Sequence, residues 1–299
     1  MARWVVVATV LLAGACGGGA DPSGRSPRND GIVVASFDFA ESRRVAEIYA
    51  YALEDEGVMV NRQLDLGPRE LVLPALRQGF VDVIPEYAGS ALDATLPASS
   101  VDRSDVAAVA DELADAVRPW GIDVLSPSPA SNQNALAVTA ATAAEGPFDN
   151  ISDLAPVAMS LTAGGPPECP GRRRCLVGLA DVYGIRFGAF VPLADQDLVR
   201  RALTDGVIDV GVLFSTDAAL AGDALVVLSD DKHLQPADNV VPIVRRAAVD
   251  ERAVAALNEV SARLSTSSLR FLNWRVAHAG ADAATEARAW LVRHGLVAL

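Results

Sequence analysis

The sequence predicts an α/β protein made of two similar lobes, one inserted into the other, and three observations lead there. A nine-residue template, Ala-Leu-x-x-Gly-x-(Val/Ile)-Asp-Val, occurs twice, at 75–83 and 202–210. Short apolar strands alternate with amphipathic helical stretches, the pattern of open sheets covered by helices. Between the two copies, Ser126-Pro127-Ser128-Pro129 forms a stiff connector suited to a crossing between lobes. Each template copy reads as a last helical turn, a glycine able to take the left-handed C-cap conformation, and a short strand. Five residues beyond each template Asp stands an aromatic with hydroxyls after it: Tyr87 with Ser90, and Phe214 with Ser215 and Thr216. Open α/β sheets bind ligands outside the carboxyl ends of their strands, so each unit would offer an aromatic to a shared cleft. A core role for Phe214 is the alternative.

Along the chain, Ile32–Ser36 is the first expected strand. Asp38 and Glu41 have capping-box spacing and open a helix to Glu56, stopped at Gly57. Val58–Leu64 alternates as a strand, Pro68 opens a helix to Gln78, and Phe80–Ile84 is the next strand. Ser104–Arg118 is amphipathic and ends before Pro119; Ile122–Leu125 and Asn134–Thr139 flank the Ser-Pro connector as strands. A second set follows: a short helix at Ile151–Leu154, a strand at Val157–Leu161, helices at Leu176–Tyr183 and Gln196–Leu203, and a strand at Val207–Leu213. Leu225–Leu228 and Val240–Val244 carry the chain back, and Asp250–Leu264, Ser268–Ala277 and Ala281–His294 are helical. Lobe 1 is expected to comprise 31–128 and 227–299, and lobe 2 residues 129–226.

The N-terminus speaks to compartment. Residues 1–15 hold one charge, Arg3, an apolar run from Trp4 to Leu12, and the small residues Ala13-Gly14-Ala15 before Cys16. This reads as a signal peptide ending in a lipobox, with Cys16 the lipidated first residue of the mature chain. Cleavage elsewhere, with Cys16 lost, is the alternative. Residues 16–30, rich in Gly, Ser and Pro, would be the flexible tether of a lipid anchor. The apolar run is too short to span a bilayer. The protein is therefore expected outside the cytoplasmic membrane, held to its outer face.

The remaining cysteines, Cys169 and Cys175, suit a local disulfide in that oxidising setting. His233, His278 and His294 are scattered singly, so no metal site is indicated. A formal net charge of −13 argues against a nucleic-acid surface. Lys232 is the sole lysine among 25 basic residues, a bias of composition rather than a sign of function. No nucleophile–base signature stands near the motifs, so an enzyme is not expected.

Several segments carry a family resemblance. They are Ser36-Phe37-Asp38-Phe39-Ala40-Glu41-Ser42, Leu66-Gly67-Pro68-Arg69-Glu70, Asp82 to Gly89 with its Pro85-Glu86-Tyr87, Asn132-Gln133-Asn134-Ala135-Leu136, Leu213-Phe214-Ser215-Thr216-Asp217, and Asp230 to Asn239. Together they resemble the substrate-binding lipoproteins of glycine betaine/choline/carnitine ABC importers, over essentially all of 31–299. The resemblance implies a type II periplasmic-binding-protein (venus-flytrap) fold, two α/β lobes joined by a two-crossing hinge. It implies a monomer without cofactor that hands a quaternary-ammonium solute to an ABC permease subunit.

The ligand chemistry explains the residue types. A trimethylammonium group has no N–H to donate, and aromatic faces attract it through their quadrupole. By resemblance, Tyr87 is a cage tyrosine and Phe214 the aromatic before Ser-Thr-Asp, with Thr216 beside it. Ser90 stands at a hydroxyl position that helps hold the ligand carboxylate. Arg172 falls where an arginine reaches that carboxylate, with Arg173 and Arg174 leaving the register open. Phe37 is either a cage wall or a packed loop residue, and Glu168 either faces a cationic head group or is a solvated loop charge. Asn134 stands where many betaine binders carry a tyrosine, which leaves one cage wall missing.

Overall fold

The structure, a computed structural model, describes residues 31–96, 101–146 and 148–298. The expected signal peptide, Cys16 and the tether lie outside the described residues. The chain begins with β1 (Ile32–Ala35), α1 (Ala40–Asp55), β2 (Val60–Gln63), α2 (Arg69–Arg77) and β3 (Val83–Tyr87). It continues through α3 (Ala88–Thr95), α4 (Val106–Val117), β4 (Ile122–Val124), β5 (Asn134–Thr139) and α5 (Ala140–Glu145). Next come β6 (Thr162–Gly165), α6 (Leu176–Gly178, prolonged by a wider turn over Leu179–Tyr183), β7 (Ala189–Pro192), α7 (Gln196–Thr204), β8 (Val210–Phe214) and β9 (Leu225–Val227). Last are β10 (Val240–Arg245), α8 (Glu251–Arg263), α9 (Thr266–Ala279) and α10 (Ala283–Arg293).

These strands form two five-stranded sheets of matching order, β2-β1-β3-β10-β4 and β7-β6-β8-β5-β9. In each, the central strand after the template (β3 or β8) runs parallel to one neighbour, β1 or β6, and antiparallel to the other, β10 or β5. In both cases the antiparallel strand is the first to follow a crossing: β5 opens the second sheet, and β10 returns to the first once the second sheet is complete.

The template explains the match bond for bond. Gly79 and Gly206 both take φ near +70° (73° and 70°). At the end of α2, Phe80 N–H reaches Ala75 O (2.8 Å) and Gly79 N–H reaches Leu76 O (3.0 Å); at the end of α7, Val207 reaches Ala202 (2.8 Å) and Gly206 reaches Leu203 (3.1 Å). Both are Schellman closures that use the glycine's left-handed freedom to turn helix into strand. The template aspartates then extend the ladder. Asp82 donates its N–H to Val33 O (2.8 Å) and accepts Val33 N–H on Oδ2 (2.9 Å). Asp209 does the same with Thr162, at 2.8 and 2.7 Å.

Two segments, 125–133 and 228–239, pass between the sheets and are tied side by side. Ser131 and Asn239 form an antiparallel bridge, Val240 N–H donates to Ala130 O (2.9 Å) and Asn239 Nδ2 to Ser128 O (2.7 Å). Side chains from α1 and α10, including Tyr49, Ile48, Leu53 and Trp290, fill the core beside the first sheet. In the second sheet the period of two sends Leu136 and Val138 to one apolar cluster and Ala137 to another.

Some expectations need correction. The Asp38–Glu41 capping box does not form: Phe39 is the N-cap of α1 and makes no side-chain cap. The Glu41 carboxylate is drawn inward to other donors. Val157–Leu161 is not a strand but holds a 3-10 turn at Ala158–Ser160, and the strand begins at Thr162, where Asp209 receives its N–H. Periodicity did not reveal β7, a partly exposed edge strand that ends in Pro192, nor the short α3 and α5. The template strands start later than expected, at Val83 and Val210, and end on the aromatic.

Candidate functional site

Tyr87 closes β3 and Phe214 closes β8, equivalent places in the two sheets. Their surroundings differ. Phe214 is 45% exposed, whereas Tyr87 is only 5% exposed. Tyr87 is the innermost member of an aromatic row: Phe37 stacks on Phe39 (centroids 5.8 Å), and Phe39 leans on Tyr87 (5.9 Å). Phe37 is buried and covered by the Arg69 guanidinium at 5.5 Å, which makes it a packed loop residue; Phe39, 41% exposed, is the member that faces solvent.

A polar chain ties the two aromatic ends together. Tyr87 donates its hydroxyl to Glu41 Oε1 (2.8 Å), Asn132 Nδ2 donates to the same oxygen (2.9 Å), and Asn273 Nδ2 donates to Glu41 Oε2 (2.8 Å). The Asn273 amide also donates to Thr216 O (2.7 Å), two residues beyond Phe214. Ser215 accepts Gln133 N–H (3.1 Å) and donates to Ser131 O (2.8 Å), while Arg270 Nε reaches Ser215 O (2.6 Å). Helix α9 and the first crossing therefore fix the end of β8 beside the end of β3. Burial and the neighbouring Glu41 push the Tyr87 hydroxyl's pKa well up, so it stays a donor.

The other expected residues fall as follows. Ser90 gives both its N–H (2.8 Å) and its hydroxyl (2.6 Å) to the Asp238 carboxylate, which sits at the start of α3 as an anion would. Burial raises the pKa of Asp238. Gly89 is required there, because a Cβ would lie 2.8 Å from Ala237 O. Beside it, Glu86 is fully buried and accepts two bonds from Arg69, at 2.5 and 2.9 Å. Asn134 lies opposite Phe214 across the β5–β8 ladder and donates to Arg174 O (3.1 Å). Thr216 is buried and takes part through its carbonyl.

Arg172 is exposed on the loop between Cys169 and Cys175 and is not brought to the aromatic row. Arg174 of the same loop instead pairs with Asp93 on α3 (2.5 Å), linking the two halves of the molecule. Glu168 is exposed at the same loop. Cys169 and Cys175 are joined as a disulfide with Cα atoms 5.3 Å apart. Mass spectrometry of the non-reduced mature protein is expected to find this link, and free thiols at both positions would count against a covalently closed loop.

Phe39, Glu41, Asn132, Asn273 and Asp238 are the participants that the residue-by-residue reading did not select. Glu41 was visible as an acidic residue in a first helical turn, which capping explains equally well. A groove of about 340 Å³ lined by Leu73, Pro74, Arg77, Gln78 and Trp120 lies on the α2 side and shares no residue with the aromatic row. Among the described residues, no group of three His, Cys, Asp or Glu side chains could hold a metal ion, and no helix is long and apolar enough to cross a membrane.

Comparison with known proteins identifies the family and the fold. Residues 30–293 match the family model for the substrate binding domain of ABC-type glycine betaine transport systems. A glycine-betaine-binding protein of Pseudomonas aeruginosa is 29% identical over 251 residues, covering 80% of this chain and 79% of the relative. The glycine betaine-binding protein YehZ of Escherichia coli K12 is 26% identical over 285 residues, covering 88% and 90%. Among solved structures, a glycine betaine/carnitine/choline ABC transporter protein superposes with a TM-score of 0.83 at 22% identity, over 89% of this chain and 99% of the other. The two sheets and two crossings are those of a type II periplasmic-binding-protein fold.

Proposed function

The chain belongs to the family of substrate-binding domains of ABC-type glycine betaine transport systems, whose members bind rather than catalyse, and from that premise we propose that it captures a quaternary-ammonium solute between its lobes. Glycine betaine, choline and carnitine share the trimethylammonium head that aromatic faces attract, at about 0.5–2 kcal/mol per face. The observation that carries the reading is the pair of solvent-facing aromatics, Phe39 before α1 and Phe214 at the end of β8. The ends of β3 and β8 are tied together through Glu41, Asn273 and Thr216.

Asn134, whose amide is spent on the Arg174 carbonyl, supplies no aromatic wall, so the cage is partial. Delivery to an ABC permease subunit from the outer face of the membrane completes the proposal. Isothermal titration of the mature domain with glycine betaine, choline, carnitine, proline betaine and a polyol tests it. Saturable binding of at least one quaternary ammonium, with none of the polyol, is the expected result. Binding of the polyol alone would replace the reading with a site for an uncharged solute.

The lipid anchor belongs to the same proposal. Cys16→Ala is expected to move the protein from the membrane fraction to the soluble fraction, and unchanged retention would remove the lipobox reading.

A further inference from the structure

Glu41 is 6% exposed in the first turn of α1, a position at which an acidic side chain ordinarily serves the helix end. Instead its two oxygens take three hydrogen bonds, from the Tyr87 hydroxyl and from the amides of Asn132 and Asn273. All three partners are donors, which suits the ionised carboxylate. All three are also neutral, and among the described residues no ion pair reaches Glu41 within 4.0 Å. Arg44, one turn along α1 and buried, feels this charge but gives its Nε to Asn273 Oδ1 (2.9 Å). The neighbouring buried carboxylate, Glu86, is by contrast matched directly by Arg69.

The molecule therefore holds a buried negative charge, not directly paired, one side chain behind the Phe39–Tyr87 wall. We propose that Glu41 sets the charge preference of the cleft, its carboxylate attracting a quaternary ammonium over an uncharged solute of the same shape. The field of a buried charge is weakly screened by salt and acts on a cation through the aromatic wall. Tyr87, whose hydroxyl donates to that carboxylate, lies in the row between the charge and the solvent-facing Phe39. A neutral isostere meets the same apolar contacts and gains nothing from the charge. The inference rests on the quaternary-ammonium reading of the cleft.

The test compares choline with its uncharged carbon analogue 3,3-dimethylbutan-1-ol on the full mature chain, the weaker ligand being read by displacement of bound choline. Glu41→Gln keeps the size of the side chain and removes the charge. It is expected to weaken choline by about 3- to 30-fold while leaving the alcohol nearly unchanged. Arg44→Gln removes the nearby opposing charge and is expected to shift the choline-to-alcohol preference the other way. Melting temperature, recorded for each variant, shows the folded state is intact. Wild-type choline affinity in folded Glu41→Gln, or an equal loss for both ligands, overturns the inference and leaves the function reading standing. Should Glu41→Gln not fold, an unmoved preference in Arg44→Gln overturns it. If the wild-type chain binds no quaternary ammonium, the function reading falls and this inference with it.

Discussion

Replacing Asp82 by alanine is expected to cost about 3–5 kcal/mol of folding stability, seen as a lowered urea midpoint. Asp82 is 2% exposed and its two oxygens do separate work. Oδ2 accepts the Val33 N–H, and Oδ1 accepts Arg245 Nε at 2.8 Å with Nη2 at 2.7 Å. Alanine would strand a buried backbone donor in β1 and remove the buried carboxylate that pairs with the partly buried Arg245 of β10. The equivalent change in the other sheet, Asp209→Ala, serves as an internal control. Asp209 also accepts a strand N–H, from Thr162, but it is less buried and pairs with no arginine in the described structure. Its loss is expected to cost about 1–2 kcal/mol. Equal costs at the two positions would mean that the arginine contributes nothing.

The second large effect separates Tyr87 from Phe214. Tyr87→Ala is expected to lower stability by about 3–5 kcal/mol, because it opens a cavity in a packed aromatic row and removes a donor from Glu41. Phe214→Ala is expected to change stability by less than about 1 kcal/mol and to weaken ligand binding by about 1–3 kcal/mol, since nearly half of its surface faces solvent. Melting temperature and affinity measured on the same two variants decide the matter. A large stability loss in Phe214→Ala with unaltered affinity in the folded fraction would make it a core residue after all. By sequence position the two aromatics look alike; in the structure Tyr87 is 5% exposed with Phe39 leaning on its ring, whereas Phe214 is 45% exposed.

That difference shows where the sequence is legible. The template announced its own geometry because its demands are local: a glycine at positive φ, a helix ending two residues earlier, an aspartate one residue before the strand. The same locality made the two-lobed α/β plan readable, along with most helices and the Ser-Pro connector of the first crossing; Leu225–Val227, expected to carry the chain back, instead forms the edge strand β9 of the second sheet. Side-chain roles that depend on distant partners were not readable. Glu41 meets Tyr87, Asn132 and Asn273 from separate parts of the chain, and no spacing within 36–42 signals it. Ser90 looked available for a ligand until folding brought Asp238 to it from the second crossing. Arg172, Arg173 and Arg174 could not be told apart by composition, and the loop geometry chose Arg174 to bridge to Asp93. Strand β7 lies on a sheet edge, where apolar patterning is weakest and burial does least to mark it.

The position of β10 has a consequence for the order in which the molecule can be completed. It sits between β3 and β4, yet it leaves the ribosome last of all the strands. The second sheet needs only the contiguous stretch from β5 to β9 and has all its strands while the C-terminal quarter is still unmade. The first sheet, although begun earlier, stays in two pieces until residues 240–245 arrive, with β4 stranded beyond an open edge at β3. During vectorial synthesis and export the N-terminal sheet is thus the later to close, and the exposed edge of β3 is the surface that must be kept from pairing with other chains in the meantime.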